Sequence, residues 1–338
     1  MSQNKETTVL IISLLITSAL IGIGIWVFNP LGKNSSSSDG NISNNSTNSP
    51  ANPTNLNNDS NNTTFAQVPK VPSGLFSYGG STSWATIRGQ VDPAIQIVWP
   101  QFKLRYTHPN SGSANSSTGI RMLLDNQLSF AQSSRPLNDK EYQQAQQRGF
   151  TLKEIPVAID GRAVGVHPSL NIKGLTVAQV EAIESGKITN WQEVGGPNLK
   201  IKRYAIQGED TNNVEFLPSQ TAAMAKVAND PSGVILASAA LIVNQCKIKP
   251  LPIGRTAQEF ITPYKEPLIP IDQCSNTKRN QVNTDVFQSG KYPLTRRLFV
   301  VVKQNGLLDQ QAGEIYANLL LTNQGQEIIE KLGFVRIK

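Results

Sequence analysis

The stretch IPVAIDGRAVGV, residues 155–166, holds two short runs of small and β-branched apolar side chains. The runs at 155–158 and 163–166 are predicted to be β-strands, with Asp160-Gly161 as a turn between them. Two strands in close succession indicate that this part of the chain contributes to a sheet.

Helical patterns alternate with the predicted strands. Thr176 and Gln179 have the spacing of a capping box at the start of a helix, and residues 310–332 carry a long helical pattern. The run RLFVVVK at 297–303 lies between these helices and has the composition of a strand buried on both faces. From about Val71 onward, the alternation therefore predicts an α/β domain.

The first 70 residues have a different character. Residues 7–28 carry no charged side chain and are long enough to cross a bilayer as a helix. No small-residue cleavage pattern follows them, so residues 1–33 are predicted to be an uncleaved transmembrane anchor, with a cleaved signal sequence as the alternative. Residues 34–70 are rich in Asn and Ser, which predicts a disordered linker. The folded domain is accordingly expected at 71–338.

The charge pattern argues against binding to nucleic acid. The chain of 338 residues has a formal net charge of +7, and only 16% of its residues are charged. Its Lys and Arg residues form no run with interleaved aromatic side chains. The modest basic excess suits a protein that meets anions, and it is equally common on surfaces with no such role.

The Cys and His residues indicate neither a metal site nor a catalytic centre. Cys246 and Cys274 have no CxxC spacing and no His nearby, which argues against zinc. In an exported domain they favour a disulfide, with two buried thiols as the alternative. His108 and His167 are not accompanied by a G-x-S-x-G motif, and no HExxH, P-loop or GxGxxG motif occurs. The sequence therefore predicts no metal, no cofactor and no enzymatic activity.

Three loops rich in small and hydroxyl side chains are candidates for anion binding. They read GGSTSW at 79–84, NSGSANSSTG at 110–119 and QSSRPL at 132–137. Each lies at a predicted junction between a strand and a helix, where open α/β sheets bind ligands. Hydroxyls and helix N-terminal amides donate hydrogen bonds to an anion. Ser116 or Ser117 is a natural N-cap, and Arg135 can offer a bidentate fork.

Several segments resemble the phosphate-binding proteins of bacterial phosphate ABC importers. They include TGIRMLLDNQLSFAQSSRPL at 118–137, GKITNWQEVGG at 186–196 and YPLTRRLFVVV at 292–302. The resemblance covers about residues 73–338 and implies a two-lobed type II periplasmic-binding-protein fold. One lobe is expected at about 71–158 and 290–338, and the other at about 159–289. In that family the ligand lies between the lobes.

The resemblance also implies a set of ligand-binding positions. In this sequence they fall on Thr82 with Ser83 beside it, Ser116, Ser134 with Arg135, and Thr211, Asn212 and Asn213. Ser81 and Ser117, from the same hydroxyl-rich loops, complete the predicted ligand-binding set. The chain departs from the family at Gly208, where the Arg that usually precedes the fourth binding segment is missing. Three alternatives follow: Arg135 supplies the positive charge, the ligand is not phosphate, or the affinity is weak. One charge-assisted hydrogen bond contributes on the order of 1.5–3 kcal/mol.

The function implied by the resemblance is capture of phosphate or a similar oxyanion. The chain is expected to be an extracytoplasmic solute-binding protein that serves the permease subunits of an ABC importer. It is held at the plasma membrane by the N-terminal helix, or secreted if that segment is cleaved. One alternative is a membrane-tethered anion sensor or accessory binding protein without a transport role, and a less favoured one is a secreted hydrolase.

The disulfide can be tested directly. Alkylation of the exported protein without reductant should leave Cys246 and Cys274 unlabelled, because disulfides form and persist in an oxidising compartment. Peptide mass spectrometry reads the result, and a reduced sample should carry both labels. Two labelled cysteines in the unreduced sample would refute the bond.

Overall fold

The computed structural model describes residues 63–206 and 214–337. The strands, in chain order, are β1 (Gly74–Gly80), β2 (Phe102–Tyr106), β3 (Phe130–Ser133), β4 (Thr151–Val166), β5 (Leu175–Thr176), β6 (Lys202–Ile206), β7 (Val214–Leu217), β8 (Gly233–Ser238), β9 (Lys249–Leu251), β10 (Ile253–Gly254) and β11 (Thr295–Gln304). The helices are α1 (Ala85–Val98), α2 (Ser116–Leu124), α3 (Asp139–Gln147), α4 (Val177–Glu184), α5 (Gln220–Val227), α6 (Ala239–Ile242), α7 (Thr284–Gln288), α8 (Leu308–Leu320) and α9 (Asn323–Lys331). Short 3-10 helices occur at Phe65–Gln67, Thr82–Trp84 and Trp191–Val194. The predicted α/β class is confirmed.

One long strand joins the two halves of the main sheet. The strand order is β2-β1-β3-β11-β4-β8-β6-β7, with β9 also pairing with β4. β4 has 16 residues. Up to Gly161 it pairs with β11, and from Arg162 onward it pairs with β8. Each half has its own hydrophobic core, with Trp84 in the first and Trp191 in the second. The predicted two-lobed architecture is therefore confirmed.

β4 is continuous at the point where the sequence predicts a turn. Asp160 lies in register with Arg296 of β11, and its carboxylate accepts hydrogen bonds from that guanidinium. A Cβ at Gly161 would lie 2.3 Å from the ring of Phe287, so glycine is needed here for close packing. The Asp-Gly pair serves these long-range contacts, and the turn prediction is wrong.

The predicted helix at 310–332 is two helices. α8 ends at Leu320, and α9 begins at Asn323 with Thr322 as its N-cap. The Thr322 hydroxyl accepts a hydrogen bond from the Gly325 N–H at 3.1 Å, and this local cap starts the new helix. By contrast, the capping box of α4 is formed as the sequence predicts.

The folded region begins before residue 71. Phe65 is fully buried, and its carbonyl accepts a hydrogen bond from Trp99 Nε1 at 2.8 Å. The Phe65 N–H donates to Gln324 Oε1 at 2.9 Å, so this end of the predicted linker packs on the first lobe. The predicted anchor at 1–33 lies outside the described residues. Within 63–206 and 214–337, the structure contains no helix with the length and hydropathy required to span a bilayer.

Cys246 and Cys274 are disulfide-bonded, which confirms the prediction. Their Cα atoms are 5.4 Å apart, and the residues are separated by 28 positions in sequence. Because such a bond restricts the unfolded chain, it contributes roughly 3–4 kcal/mol to stability. The segment that it closes belongs to the second lobe and contains β9 and β10.

Helix α2 approaches strand β1 most closely at Gly119. A Cβ at Gly119 would lie 2.4 Å from the Cα of Gly80. Since Gly80 ends β1 and leads into the loop that contains Ser81, this contact sets the distance between the first two candidate loops. Gly89 of α1, by contrast, has no atom within 4 Å of the position that a Cβ would take.

Gly119→Ala should destabilise the protein, and Gly89→Ala should not. The added methyl at Gly119 forces backbone atoms apart, and overpacking of this kind costs about 1–3 kcal/mol. Gly89 lies inside a helix with open space around it, where Ala is favoured by up to about 1 kcal/mol. Denaturant unfolding of both variants measures the difference. Equal free energies of unfolding for the two variants would contradict the close approach.

Candidate functional site

A cleft with a volume of about 860 Å³ lies between the two lobes. The crossover strands β4 and β11 form its base, through residues that include Arg162 and Arg296. The predicted site residues that line it are Ser81, Thr82, Ser83, Ser116, Ser117, Ser134 and Arg135. The structure therefore brings the three candidate loops of the first lobe to one wall. Predicted residues Thr211, Asn212 and Asn213 lie outside the described residues, as does Gly208.

Hydroxyls from all three loops meet on this wall. Ser81 Oγ donates to Ser134 Oγ at 3.0 Å, and Ser116 Oγ lies 3.3 Å from Ser134 Oγ. The Ser134 N–H also donates to Ser116 Oγ at 3.0 Å. The three hydroxyls carry three protons, and the two contacts between them use two of these protons. One O–H therefore remains to donate to a ligand. We refer to Ser81, Ser116 and Ser134 as the serine cluster.

Trp84 fixes the first loop against the third. Its indole Nε1 donates to the Ser133 carbonyl at 3.0 Å, and the whole side chain is buried. In the same loop, the Ser83 N–H donates to Ser81 Oγ at 3.3 Å. These bonds hold the first loop in place without a ligand.

Helix α2 places its N-terminus at the cleft. Its N-cap is Asn115, one residue before the predicted Ser116, and the Asn115 side chain accepts from the Thr118 N–H at 2.8 Å. The amides of Ser116 and Ser117 belong to the first turn, where helix geometry provides no acceptor within the helix. Since both residues line the cleft, this helix end favours a bound anion.

Arg135 lines the cleft, but its guanidinium is paired with Glu141. Nη1 and Nη2 donate to the two carboxylate oxygens at 3.0 and 2.7 Å. Nη2 also donates to Ser117 Oγ at 2.9 Å. Hydrogen bonding to Glu141 raises the pKa of the Arg135 guanidinium further above its usual range. The bidentate pair of Arg135 donors that the sequence predicts for anion binding is therefore bonded to a carboxylate of the same lobe.

Three further arginines line the cleft, namely Arg162, Arg203 and Arg296. Arg162 Nη2 lies 3.7 Å from Glu184 Oε1, and burial lowers the pKa of Arg203 while Glu184 opposes that shift. Arg296 forms an ion pair with Asp160 at 2.9 Å. Burial raises the pKa of the Asp160 carboxyl, and the Arg296 charge opposes that shift.

The sequence alone does not single out Arg203 or Arg296. Each lies in a strand, where successive side chains take opposite faces and the register of the whole sheet decides which face meets the cleft. A signal does exist for Arg296, because the run YPLTRRLFVVV places two arginines directly before a buried strand. Charge at the end of such a strand is costly to bury without a partner, so one of the two needs a specific role.

A buried acid lies behind the first and third loops. Asp92 of α1 accepts hydrogen bonds from the hydroxyls of Tyr78 and Tyr316. The Tyr316 hydroxyl in turn accepts from Gln132 Nε2 at 3.1 Å. Tyr78 and Gln132 belong to β1 and β3, which lead into the two loops. Burial raises the pKa of Asp92 from 3.8 to about 6.

Comparison with known proteins identifies the family of the chain. A profile described as the PBP superfamily domain matches residues 72–323. The chain belongs to the PBP superfamily. It is 25% identical over 236 residues to the phosphate-binding protein PstS of Staphylococcus haemolyticus, an alignment that covers 68% of this chain and 73% of that protein.

Solved structures share the fold. A phosphate ABC transporter substrate-binding protein of Clostridium perfringens, with bound phosphate, superposes with a TM-score of 0.60 at 20% identity and covers 78% of this chain and 100% of that chain. An ABC-type phosphate transport receptor of Vibrio cholerae gives 0.57 at 18% identity, covering 77% and 99%. The resemblance predicted from the sequence is confirmed, and these relatives are binding proteins rather than enzymes. Among the described residues, no group of His, Cys, Asp or Glu is placed to hold a metal ion.

The free energy of unfolding should fall as the pH rises from about 4 to about 6. In that window the folded state keeps the Asp92 proton that the unfolded state has lost, so ionisation favours the unfolded chain. A shift of about two pKa units corresponds to about 3 kcal/mol. Denaturant unfolding at both ends of the window measures the slope.

Asp92→Asn should remove this part of the pH dependence. Asp272→Asn, which deletes an exposed carboxylate, is the matched control and should keep the slope of the unaltered chain. The same slope in Asp92→Asn and in the unaltered chain would show that Asp92 does not titrate in this window.

Proposed function

We propose that the cleft binds phosphate, or an oxyanion very similar to it, between the two lobes. The observation that carries the proposal is the meeting of the serine cluster and the N-terminus of α2 on one wall. Hydroxyls and N-terminal amides can donate to a tetrahedral oxyanion from several directions. The names of the relatives support the same ligand, since the Staphylococcus haemolyticus protein is called phosphate-binding and the Clostridium perfringens structure holds phosphate.

In this proposal the first lobe supplies most of the neutral donors. The serine cluster donates its remaining O–H, the first turn of α2 donates backbone N–H groups, and Thr82 and Ser83 donate from the first loop. Arg135 acts indirectly, because it holds Ser117 through the 2.9 Å hydrogen bond. Each net hydrogen bond to the anion contributes on the order of 1 kcal/mol, and more where the donor is charged.

The second lobe supplies the facing wall. We assign this role to Thr211, Asn212 and Asn213, whose positions in the sequence fall between those of β6 and β7. Their hydroxyl and amide groups can donate to an oxyanion, as the loops of the first lobe do. A ligand bound between two lobes also favours their closure, because closure brings donors from both lobes to the same anion.

The proposed role is delivery of the anion to an ABC importer on the outer side of the membrane. The Vibrio cholerae relative is named a transport receptor, and closure of two lobes presents a new surface to a permease partner. In this proposal residues 1–33 anchor the chain through the uncharged segment 7–28, and the Asn/Ser-rich residues that follow act as a spacer.

Calorimetric titration of the full-length chain in a mild detergent tests the ligand. Phosphate should bind with measurable heat and should raise the melting temperature, because a ligand that binds only the folded state stabilises it. Sulfate is the comparison oxyanion. Absence of both heat and thermal shift at millimolar phosphate would exclude phosphate as the ligand.

Ser116→Ala should weaken phosphate binding about ten-fold, which corresponds to about 1.4 kcal/mol. The variant loses one hydroxyl of the serine cluster and leaves the Ser134 N–H without its acceptor. Ser129→Ala is the matched control, because Ser129 is 7% exposed against 8% for Ser116 and precedes β3 at the end away from the cluster. Equal affinities of the two variants would show that Ser116 is not a ligand-binding residue.

A further inference from the structure

Arg296 lies at the base of the cleft, where the chain crosses between the lobes. It belongs to β11 and pairs in register with Asp160 of β4. Its Nε and Nη2 donate to Asp160 Oδ2 at 3.0 and 2.9 Å. Asp160 is only 1% exposed, and its other oxygen accepts from Ser238 Oγ of β8 at 2.6 Å. The guanidinium is therefore held by a carboxylate that is itself fixed from the second lobe.

The same guanidinium is connected to the serine cluster. Its Nη2 donates to Ser83 Oγ at 2.7 Å, and the Ser83 N–H donates to Ser81 Oγ at 3.3 Å. Because Ser83 Oγ accepts from Arg296, its own O–H must turn toward another acceptor. No such acceptor is found among residues 63–206 and 214–337. Arg296 and Ser83 thus lie at the same end of the cleft as the cluster, each with donor capacity left.

Arg135 and Arg296, both of which form ion pairs, differ in the donors that they leave open. Both terminal nitrogens of Arg135 are bonded to Glu141. The Nη1 of Arg296 has no hydrogen-bond partner in the part of the chain that the structure describes, and the residue lines the cleft. A guanidinium carries five N–H donors and no acceptor, so an open Nη1 offers two of them to an anion.

We propose that Arg296 is the residue that gives the bound oxyanion its charge-assisted hydrogen bond, through Nη1. This assignment rests on the proposed function, because it names the charged donor of the same site. In this proposal Arg296, from one of the crossover strands, takes the role of the arginine that the family usually has where this sequence has Gly208. Asp160 and Ser83 already hold the guanidinium in position, so little ordering is required when the anion enters.

Two double variants of the full-length chain test the assignment by calorimetry with inorganic phosphate. Arg296→Gln/Asp160→Asn removes both charges of the pair, so no buried carboxylate is left without a partner and the net charge of the cleft is unchanged. Arg148→Gln/Asp125→Asn does the same to an ion pair that does not line the cleft and is the matched control. The first should weaken binding at least about ten-fold, and the second less than about three-fold.

The single variant Asp160→Asn provides an independent result if the first double variant does not fold. Its amide oxygen still accepts from Arg296 and its amide N–H₂ can donate to Ser238, while the negative charge beside the guanidinium is gone. Phosphate should therefore bind at least about three-fold more tightly than to the unaltered chain, because the Arg296 charge is no longer offset.

The outcomes separate the two proposals. If the unaltered chain binds phosphate and the folded Arg296→Gln/Asp160→Asn variant binds it within about three-fold, the assignment of Arg296 is overturned and the proposed function stands. An equal or larger loss in Arg148→Gln/Asp125→Asn overturns it as well, as does unchanged or weaker binding by Asp160→Asn. If the unaltered chain itself binds no phosphate, the proposed function falls and the assignment falls with it.

Discussion

Arg296 and Asp160 form the interaction on which both the fold and the cleft depend. The pair joins β11 to β4 at the point where the chain passes from one lobe to the other, and Asp160 is buried there. A buried carboxylate must be paired, and removal of one partner alone costs about 3–5 kcal/mol. The same guanidinium also donates a hydrogen bond to Ser83. The pairing of β11 with β4 and the position of the first loop therefore depend on one side chain.

Other arginines of the cleft also lie beside carboxylates. Arg135 is matched by Glu141, and Arg162 lies close to Glu184, so an entering anion does not meet a large excess of positive charge. The donors that converge in one place are instead the neutral hydroxyls of the serine cluster and the first amides of α2. Such fixed dipoles favour an anion through their orientation. Because they lie within the cleft, they are screened by salt much less than exposed charges are.

Local signals in the sequence predict more of this molecule than long-range ones can. Each candidate loop and the cap at Thr176 is encoded within about ten residues, and spacing alone reveals it. Arg135 is an intermediate case: its partner Glu141 is also the capping-box residue of α3 with Asn138, so the run NDKE at 138–141 contains the information.

The continuity of β4 could not be read in this way. It depends on the contact between Asp160 and Arg296, which are separated by 136 positions, and no local pattern contains both. The role of Arg296 follows from the same contact, since the register of β11 against β4 decides which face of the strand it occupies. The least predictable part of the site is therefore the part made by the crossover strands.

A crystal structure of the chain grown with arsenate would show which groups hold the anion, because this tetrahedral oxyanion can be located by its anomalous scattering. We expect one anomalous peak between the lobes, within hydrogen-bonding distance of the Ser116 N–H, Ser83 Oγ and Arg296 Nη1. No peak in the cleft, or a peak that contacts Arg135 and none of these three groups, would contradict it.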